Sequence, residues 1–477
     1  MLHAISVRKA GAIAGLLALA AVTAFGGAAT AAPAKLKSPS QAMAAVAKGG
    51  SGGSGELRVV AEGLNNPRGI GIGPDGALYV AESGKGGAGP CIAGPEGDQA
   101  CFGRSGSVTR ITRHSQQRVL TGLPSTAAPD GTAAAGPVDL GFSGWTGYLL
   151  IGNPGGGAAT RKALGPGAGR FGKLLKGDLH GIRSVADFPR FEDANNPDGG
   201  DPAEGGVAAS GPVDLGFSGW TGYLLVGNPG GGTATRKQFG PAAARFGKLL
   251  KVDLHGIRAV ADFPRFEEKN NPDKGAGAEP GFEIDSNPNG LLVGRRSQLV
   301  TDAGGNDLLK VDHKGRISVV AVFPPRLVDA PEGIPDLPSQ IPMQAVPTSV
   351  VKGPDGAYYV GQLTGFPFPV GAANVWRVVP GHKPKVFAAG FTNIIDIAFD
   401  RHGRLYVLEI ATNGLLSAGE NELPQGRLVR VNRDGSRETL ASEGLSAPGG
   451  FVLGHGAAYI TNNSILSDAG QVVKVAI

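Results

Sequence analysis

A long segment of this chain occurs twice in tandem with little change, and this limits what the chain can fold into. The segment spans Gly136–Asp198 and returns as Gly211–Asp273, with 53 of 63 positions identical. A near-perfect copy of this length is typical of repeat architectures, in which each unit buries its apolar face against a neighbour of the same kind. The copied segment should therefore be one complete unit of the fold.

One copy has the pattern of four short strands separated by glycine-containing turns. The predicted strands are Val138–Ser143, Tyr148–Gly152, Lys173–Leu179 and Ile182–Phe188, and a glycine-rich loop, Asn153–Arg170, joins the second to the third. Apolar and polar residues alternate along them with the period of two that strands show. Four consecutive strands that repeat as a unit form a blade of a β-propeller.

The same order of strands and turns recurs, without the sequence identity, in five further segments. They are Arg68–Leu123, Asn289–Phe323, Pro347–Phe391, Asn393–Leu445 and Ala447–Ile477.

The last of these segments stops after three strands, and the other end of the folded chain can supply the fourth. Leu57–Leu64, followed by NNPRG, resembles ETLASEGL followed by SAPGG. An unpaired strand edge is a liability that closed folds remove. We therefore predict an all-β fold over residues 56–477. It is a seven-bladed propeller, six blades plus the duplicated one, and the N-terminal strand closes the ring.

The first 55 residues have the features of an export leader and a linker. In Met1–Ala32, two basic residues precede the apolar run Ala10–Phe25, and Ala29–Ala31 offers a small-residue cleavage site. The alternative is an uncleaved anchor, but the apolar run is short for a membrane-spanning helix. Residues 33–55 end in the flexible sequence GGSGGSG. We predict a secreted protein with no membrane contact once the signal peptide is removed.

The charge of the predicted propeller is close to balanced. The whole chain has a formal net charge of +5, and the leader and linker contain five of the basic residues. No basic stripe with interleaved aromatic residues is present, which argues against a nucleic-acid partner. We expect a monomer whose partner is a small molecule or an extracellular protein.

The only two cysteines, Cys91 and Cys101, flank a short loop in the first predicted blade. In an exported protein, two cysteines this close favour a disulfide. A zinc site is the alternative, but it needs further ligands that are not nearby in the sequence.

The connections fall into two classes, and a propeller places each class on its own face. Short turns join the first strand of a blade to the second, as at residues 73–76, 353–356 and 400–403. Longer loops join the second strand to the third, and loops on a rigid scaffold often carry binding sites. These longer loops are Ser83–Ser105, Asn153–Arg170, Asn228–Arg245, Leu363–Ala373 and Ile410–Gln425.

Two sets of polar residues are candidates for ligand binding on the long-loop face. One set ends the second strand of each blade: Glu82, Asn153, Asn228, Asp302, Gln362, Glu409 and Asn462. The other lies near the start of the innermost strands: Arg68, Asp139, Asp214, Asn289, Ser349 and Asp396. Carboxylate and amide oxygens suit calcium, which is the one cofactor the pattern suggests. The alternative is that these groups cap strand ends and bind loop backbone.

Neither the histidines nor the known catalytic motifs indicate a reaction. Seven histidines fall in or beside the short turns, away from the long-loop face: His114, His180, His255, His313, His382, His402 and His455. There is no nucleophile elbow, zinc spacing or phosphate loop. The sequence NNPD, at residues 195–198 and 270–273, favours a turn, with calcium binding as the alternative.

Five stretches closely resemble the ScyD/ScyE family: Asn65–Gly103, Asp285–Leu292, Asp302–Asp312, Ala345–Gly381 and Gly390–Leu416. The resemblance covers nearly all of residues 56–477. It implies an exported propeller of the NHL type and no established catalytic residues. This chain departs from the family pattern because it carries the GPVD…NNPD blade twice.

These observations favour a secreted binding or scaffold protein with an unknown ligand and no catalysis. The alternative is a calcium-dependent hydrolase, lactonase or lyase that uses the carboxylates at the channel mouth.

Overall fold

A computed structural model describes residues 56–93, 99–154, 158–178, 181–187, 212–219, 221–228, 246–253, 256–278, 283–332, 337–417 and 422–477. The predicted signal peptide, the linker, the first NNPD sequence and most of the loop Asn228–Arg245 lie outside these residues. Within them, no helix is both long enough and apolar enough to cross a membrane.

The described residues form seven antiparallel blades, which confirms the predicted propeller. The first strand, β1 (Arg58–Leu64), belongs to the last blade. Blade 1 contains β2 (Pro67–Ile72), β3 (Leu78–Glu82), β4 (Cys91–Ala93), β5 (Gln99–Ile111) and β6 (Gln116–Ala127). The duplicated blades follow. Blade 2 contains β7 (Pro137–Ser143), β8 (Thr146–Ile151), β9 (Lys173–Asp178) and β10 (Gly181–Asp187). Blade 3 contains β11 (Pro212–Ser218), β12 (Thr221–Val226), β13 (Lys248–Asp253) and β14 (Gly256–Asp262).

The remaining blades lack the sequence identity of the duplicated pair. Blade 4 contains β15 (Pro288–Val293), β16 (Ser297–Asp302), β17 (Asp307–Asp312) and β18 (Ile317–Val322). A hairpin of β19 (Arg326–Asp329) and β20 (Gln340–Met343) follows it. Blade 5 contains β21 (Pro347–Lys352), β22 (Tyr358–Gln362), β23 (Ala373–Val378) and β24 (Lys385–Phe391). Blade 6 contains β25 (Ile394–Phe399), β26 (Leu405–Glu409), β27 (Arg427–Val431) and β28 (Arg437–Ala441). Blade 7 contains β29 (Gly450–Gly454), β30 (Ala457–Asn462) and β31 (Gly470–Ala476).

The short turns are fixed by local side-chain bonds. In the GPDG turn at residues 73–76, Asp75 accepts hydrogen bonds from Tyr79 Oη at 3.2 Å and Arg110 Nη2 at 2.7 Å. The last glycine of that turn has φ +76°, a conformation that other residues rarely adopt. Asp355 makes the equivalent contacts in blade 5. Similar turns therefore recur because one residue pattern satisfies the same backbone geometry.

The N-terminal strand closes the ring as predicted. Strand β1 pairs antiparallel with β31, at the outer edge of blade 7. Leu64 is fully buried in a cluster that includes Leu78 of blade 1 and Val472 of blade 7. The innermost strands contact one another in a closed cycle from β2 through β7, β11, β15, β21, β25 and β29 back to β2. They therefore surround a central channel.

Two of the long connections contain helices that the sequence patterns did not predict. The connection predicted as a loop at Asn153–Arg170 contains the helix α1 (Ala158–Ala163) and a 3-10 helix (Pro166–Arg170). A second helix, α2 (Phe263–Asn270), follows blade 3, with its N-terminus capped by Asp262. Both α-helices are short, at 6 and 8 residues, so neither has a long amphipathic pattern that would reveal it.

The predicted disulfide is present. Cys91 and Cys101 lie opposite each other on β4 and β5, and their sulfur atoms are bonded. The bond ties the first long loop of blade 1 to its own strand.

Candidate functional site

The residues that end the second strands are mostly buried inside the blades. Six of the seven are almost inaccessible to solvent, and the seventh, Asn153, is half-buried. Their side chains make hydrogen bonds within the protein, in two different ways.

In blades 1 and 6, the strand-end carboxylate pairs with an arginine. Glu82 accepts hydrogen bonds from Arg118 Nη2 at 2.9 Å and from the backbone N–H of Asn65 at 2.8 Å. Glu409 pairs with Arg427, and its Oε1 accepts the backbone N–H of Thr392 at 2.5 Å. Each carboxylate thus joins the chain that enters its blade to a strand further from the channel, β6 in blade 1 and β27 in blade 6.

In blades 4, 5 and 7 the strand-end group has no ion pair, but it makes comparable bonds. Asp302 accepts from Ser286 Oγ and from the backbone N–H of Asn287, both at 2.6 Å. Gln362 accepts from Trp376 Nε1 at 3.1 Å. The side chain of Asn462 accepts the backbone N–H of Ser446 at 2.7 Å.

These bonds hold the backbone of the loops that lead into the blades. They fit the alternative interpretation, in which these residues cap strand ends and bind loop backbone. Asn228 also fits this role, because its Nδ2 donates to the carbonyl of Ser286 in the next blade at 2.5 Å. Ligand contact by any of the seven stays a prediction.

The innermost strands carry a second ring of equivalent positions. All of these strands except β29 have a register shift near their start. The equivalent position is the residue opposite the next-to-last residue of the second strand, and in blades 2, 3 and 6 its side chain reaches the neighbouring blade. At this position Asp139, Asp214, Ser349 and Asp396 occupy blades 2, 3, 5 and 6, and glycine occupies the other three. Arg68 and Asn289 lie one residue earlier in their strands than the ring position, so the predicted set mixes two positions.

The three ring aspartates connect successive blades. Asp214 Oδ2 accepts the backbone N–H of Leu291 in the next blade at 2.7 Å, and Asp396 Oδ2 accepts that of Phe451 at 3.4 Å. Asp139 interacts in the same way with the backbone N–H of Leu215. Each aspartate uses one part of its carboxylate in this contact and remains half-buried.

Burial raises the pKa of all three carboxyl groups. Desolvation raises the pKa of Asp214 and that of Asp396 to about 7 in each case, against an ordinary value of 3.8. Desolvation and then the charge of Asp214 raise the pKa of Asp139 well above that value, and Asp396 adds to the effect. Since Asp396 lies in blade 6 and the others in blades 2 and 3, the three groups influence one another across the channel.

Two buried side chains of the innermost strands have a polar atom without a partner. Arg68 Nη2 lies 3.4 Å from the carbonyl of Ala134, but Nη1 has no hydrogen-bond partner among the described residues. Desolvation lowers the pKa of Arg68 to about 10. The hydroxyl of Ser349 is buried and has no partner in the described part of the chain either. Buried polar groups without a partner are uncommon in native proteins, and a ligand or water usually accounts for them.

A separate acidic pocket lies beside blade 4. Burial, followed by the charges of Asp302, Asp273 and Asp285, raises the pKa of Glu267 to about 9. Burial, followed by the charges of Asp302, Glu267 and Asp273, raises the pKa of Asp307. The sequence analysis identified two of these acidic residues as candidates. Asp302 was predicted as a strand-end residue, and Asp273 lies within the second NNPD sequence. The acidic residues at both ends of DAGGND, residues 302–307, could have indicated the pocket.

Neither the ring on the innermost strands nor the acidic pocket has its side chains arranged as a metal site. In the ranges that the structure describes, no three His, Cys, Asp or Glu side chains are grouped as a set of metal ligands. An open depression lies on the short-turn face and contains none of the predicted binding residues. It is lined by Arg401, His402, Arg404, Asn432, Arg433 and Asp434.

Comparisons with known proteins find remote structural likenesses. A catalytically inactive virginiamycin B lyase from Staphylococcus aureus, solved with quinupristin, is 11% identical with a TM-score of 0.46, over 88% of this chain and 100% of that chain. A putative gluconolactonase is 9% identical with a TM-score of 0.34, over 88% and 92%. A putative glucose dehydrogenase from Thermus thermophilus is 14% identical with a TM-score of 0.38, over 88% and 99%.

Likenesses this remote assign no function to the chain. No model of a known protein family matches it. No curated protein matches its sequence. Membership of the ScyD/ScyE family therefore stays a prediction.

Proposed function

We propose that this chain is an exported binding protein of the ScyD/ScyE type that holds a small polar ligand at the mouth of its channel, without catalysing a reaction. The observation that carries the proposal is the ring of equivalent positions on the innermost strands. It brings Asp139, Asp214 and Asp396 from three blades to one end of the channel, with the hydroxyl of Ser349 between them in the ring.

The charge of this ring favours a ligand that is cationic or donates hydrogen bonds. None of the ion pairs among the described residues involves Asp139, Asp214 or Asp396, so their charges are not balanced by a nearby Lys or Arg side chain. Carboxylates that face one another in a partly enclosed channel repel, and a cation between them relieves the repulsion. A small amine or a hydroxyl-rich molecule has suitable donors.

The two unpartnered groups add a second kind of contact. Arg68 Nη1 is a buried donor, and the hydroxyl of Ser349 can donate or accept. A ligand with an acceptor group opposite Arg68 and a donor group opposite the carboxylates would satisfy both. Export is supported by the leader sequence and by the disulfide, because disulfides persist mainly in oxidising compartments.

One observation favours the alternative of an enzyme. Carboxyl groups with a pKa of about 7, as for Asp214 and Asp396, are suited to general acid or base catalysis near neutral pH. A calcium-dependent hydrolase, lactonase or lyase would use them at the same channel mouth. Against this, Glu82 and Glu409 on the same face are held in ion pairs with arginines.

The proposal is tested by calorimetric titration of the mature protein with three probes: a short diamine, a neutral sugar and calcium chloride. Replacing Asp396→Asn removes the charge but keeps an acceptor for the N–H of Phe451, so the blade contact should survive. We expect the diamine to bind the wild-type protein and to bind this variant about 10- to 100-fold more weakly.

The control is Asp312→Asn, since Asp312 makes its hydrogen bonds in a short turn, to Arg316 and Lys314. Diamine binding that is equal in all three proteins would contradict a site at the channel mouth. Turnover of an ester, lactone or glycoside that Asp396→Asn abolishes would replace the binding function with the enzymatic alternative.

A further inference from the structure

We propose that a calcium ion binds in the acidic pocket between blades 3 and 4, at a site separate from the channel mouth. We define the acidic pocket by four side chains: Glu267, Asp273, Asp302 and Asp307. Glu267 lies on α2, and Asp273 lies in the turn that follows this helix. Asp302 and Asp307 are the last residue of β16 and the first residue of β17.

The connection between β16 and β17 brings these groups together. A Cβ atom added to Gly305 would lie 3.2 Å from Glu267 Oε2, 3.5 Å from Asp302 Cγ and 3.5 Å from the carbonyl oxygen of Asp285. Asn306 Nδ2 donates to Asp273 Oδ2 at 2.9 Å, which holds the turn after α2 against the same connection. Side-chain and backbone oxygens from three segments therefore meet around one glycine.

Several carboxylate oxygens in the acidic pocket have no partner, which indicates that the pocket lacks a cation. Asp307 is fully buried, and neither of its carboxylate oxygens has a hydrogen-bond partner among the described residues. Glu267 is also buried, and its Oε1 has no partner there. No ion pair in the described part of the chain includes any of the four carboxylates. A buried carboxylate without a partner is costly, and a bound cation compensates this cost directly.

The type of ligand favours calcium. The nearest groups to Gly305 are the carboxylates of Glu267 and Asp302 and the carbonyl of Asp285, all of which offer oxygen atoms. Calcium binds six to eight oxygens with flexible geometry. The side chains are not yet grouped as a set of metal ligands. Binding therefore requires rotation of Asp307 and Glu267, whose free oxygens have no existing bond to lose.

The tandem duplication supplies a matched control within the same chain. Glu192 and Asp198 of the first copy correspond to Glu267 and Asp273, and they lie outside the described residues. The next blade after that copy has Asn228 where blade 4 has Asp302, and its loop to Arg245 contains no acidic residue. The first copy therefore has the counterparts of Glu267 and Asp273 but lacks those of Asp302 and Asp307.

The experiment measures calcium content and thermal stability of the mature protein. Samples are dialysed against micromolar calcium for elemental analysis, and melts are recorded with calcium and with a chelator. We expect about one calcium per chain and a Tm that is several degrees higher with calcium. Glu267→Gln and Asp307→Asn should each weaken binding about 10-fold or more, while Glu192→Gln and Asp396→Asn should leave it unchanged.

Three results would overturn the site. The first is a wild-type protein that binds no calcium even at millimolar concentration, which would mean that protons neutralise the pocket. The second is unchanged calcium affinity in both pocket variants. The third is loss of calcium in Asp396→Asn, which would place the ion at the channel mouth. If Asp307→Asn does not fold, Glu267→Gln and the wild-type calcium content still decide the question.

Discussion

Closure of the ring by the N-terminal strand can be tested with a single substitution, Leu64→Ala. Leu64 is fully buried at the end of β1, in a cluster with Leu78 and Val80 of blade 1 and Val472 of blade 7. It therefore packs on both sides of the point where the ring closes. If β1 completes blade 7, loss of this side chain should loosen the closure itself.

The expected cost follows from burial. Truncation of a fully buried leucine to alanine lowers the free energy of unfolding by about 2–5 kcal/mol, from lost apolar burial and the cavity that remains. Unfolding entropy near 60 °C is about 2.1 cal/mol/K per residue, or about 0.9 kcal/mol/K for the roughly 420 residues from Glu56 onwards. The melting temperature should therefore fall by about 2–6 °C.

The assay is a calorimetric melt of the two variants at one scan rate, with Val59→Ala as the control. Val59 lies on the same strand but is 49% exposed, so its truncation should cost less than about 1 kcal/mol and shift Tm by about 1 °C or less. A Leu64→Ala protein that melts within about 1 °C of wild type would refute closure by β1. An equal fall in Tm for both variants would show that any change in β1 lowers stability, and that the buried contact of Leu64 makes no special contribution.

Three further predictions concern buried charge, the disulfide and pH. Glu82→Ala removes the partner of Arg118 and should lower the free energy of unfolding in urea by about 2–4 kcal/mol, whereas an unchanged value would mean that the pair is not stabilising. Replacing Cys91 and Cys101 together by serine should cost about 2–3 kcal/mol, because the bond closes a short loop in the unfolded chain. A reductant should reproduce this shift in the wild type. The pKa of Asp214 is raised in the folded state to about 7, so its contribution to stability is complete below about pH 4 and is lost as the pH rises through 7. Wild-type Tm should therefore fall more between pH 5 and pH 8 than that of Asp214→Asn, and parallel pH profiles would contradict this assignment.

Most of the architecture of this protein could be predicted from patterns in its sequence. The tandem copy defined the blade, alternating apolar residues defined most strands, and glycines marked the turns between them. The three-stranded last segment and the orphan strand Leu57–Leu64 together predicted how the ring closes. The strands and turns could be predicted because strand periodicity and turn geometry depend on neighbours within a few residues. The ring closure could be predicted because two separate segments of the sequence were each incomplete.

The role of each polar residue was decided only by the tertiary structure. Glu82 and Asp139 were equally good candidates for binding by sequence. Glu82 is buried and paired with Arg118, 36 residues further along the chain, whereas Asp139 remains partly accessible beside the channel. The register shift in β2, which places Arg68 one residue before the ring position, has no signature in the sequence either.

The two acidic groupings show why such sites cannot be found by spacing. Asp139 and Asp396 lie in different blades, and the charge of Asp396 acts on Asp139 only because the ring closes around one axis. Glu267 meets Asp307 only because α2 packs against the next blade. Whether a carboxylate is charged, paired or open to a ligand depends on how far it is buried and on what lies opposite. The closed packing of the blades sets both of these properties, and the order of residues along a strand sets neither.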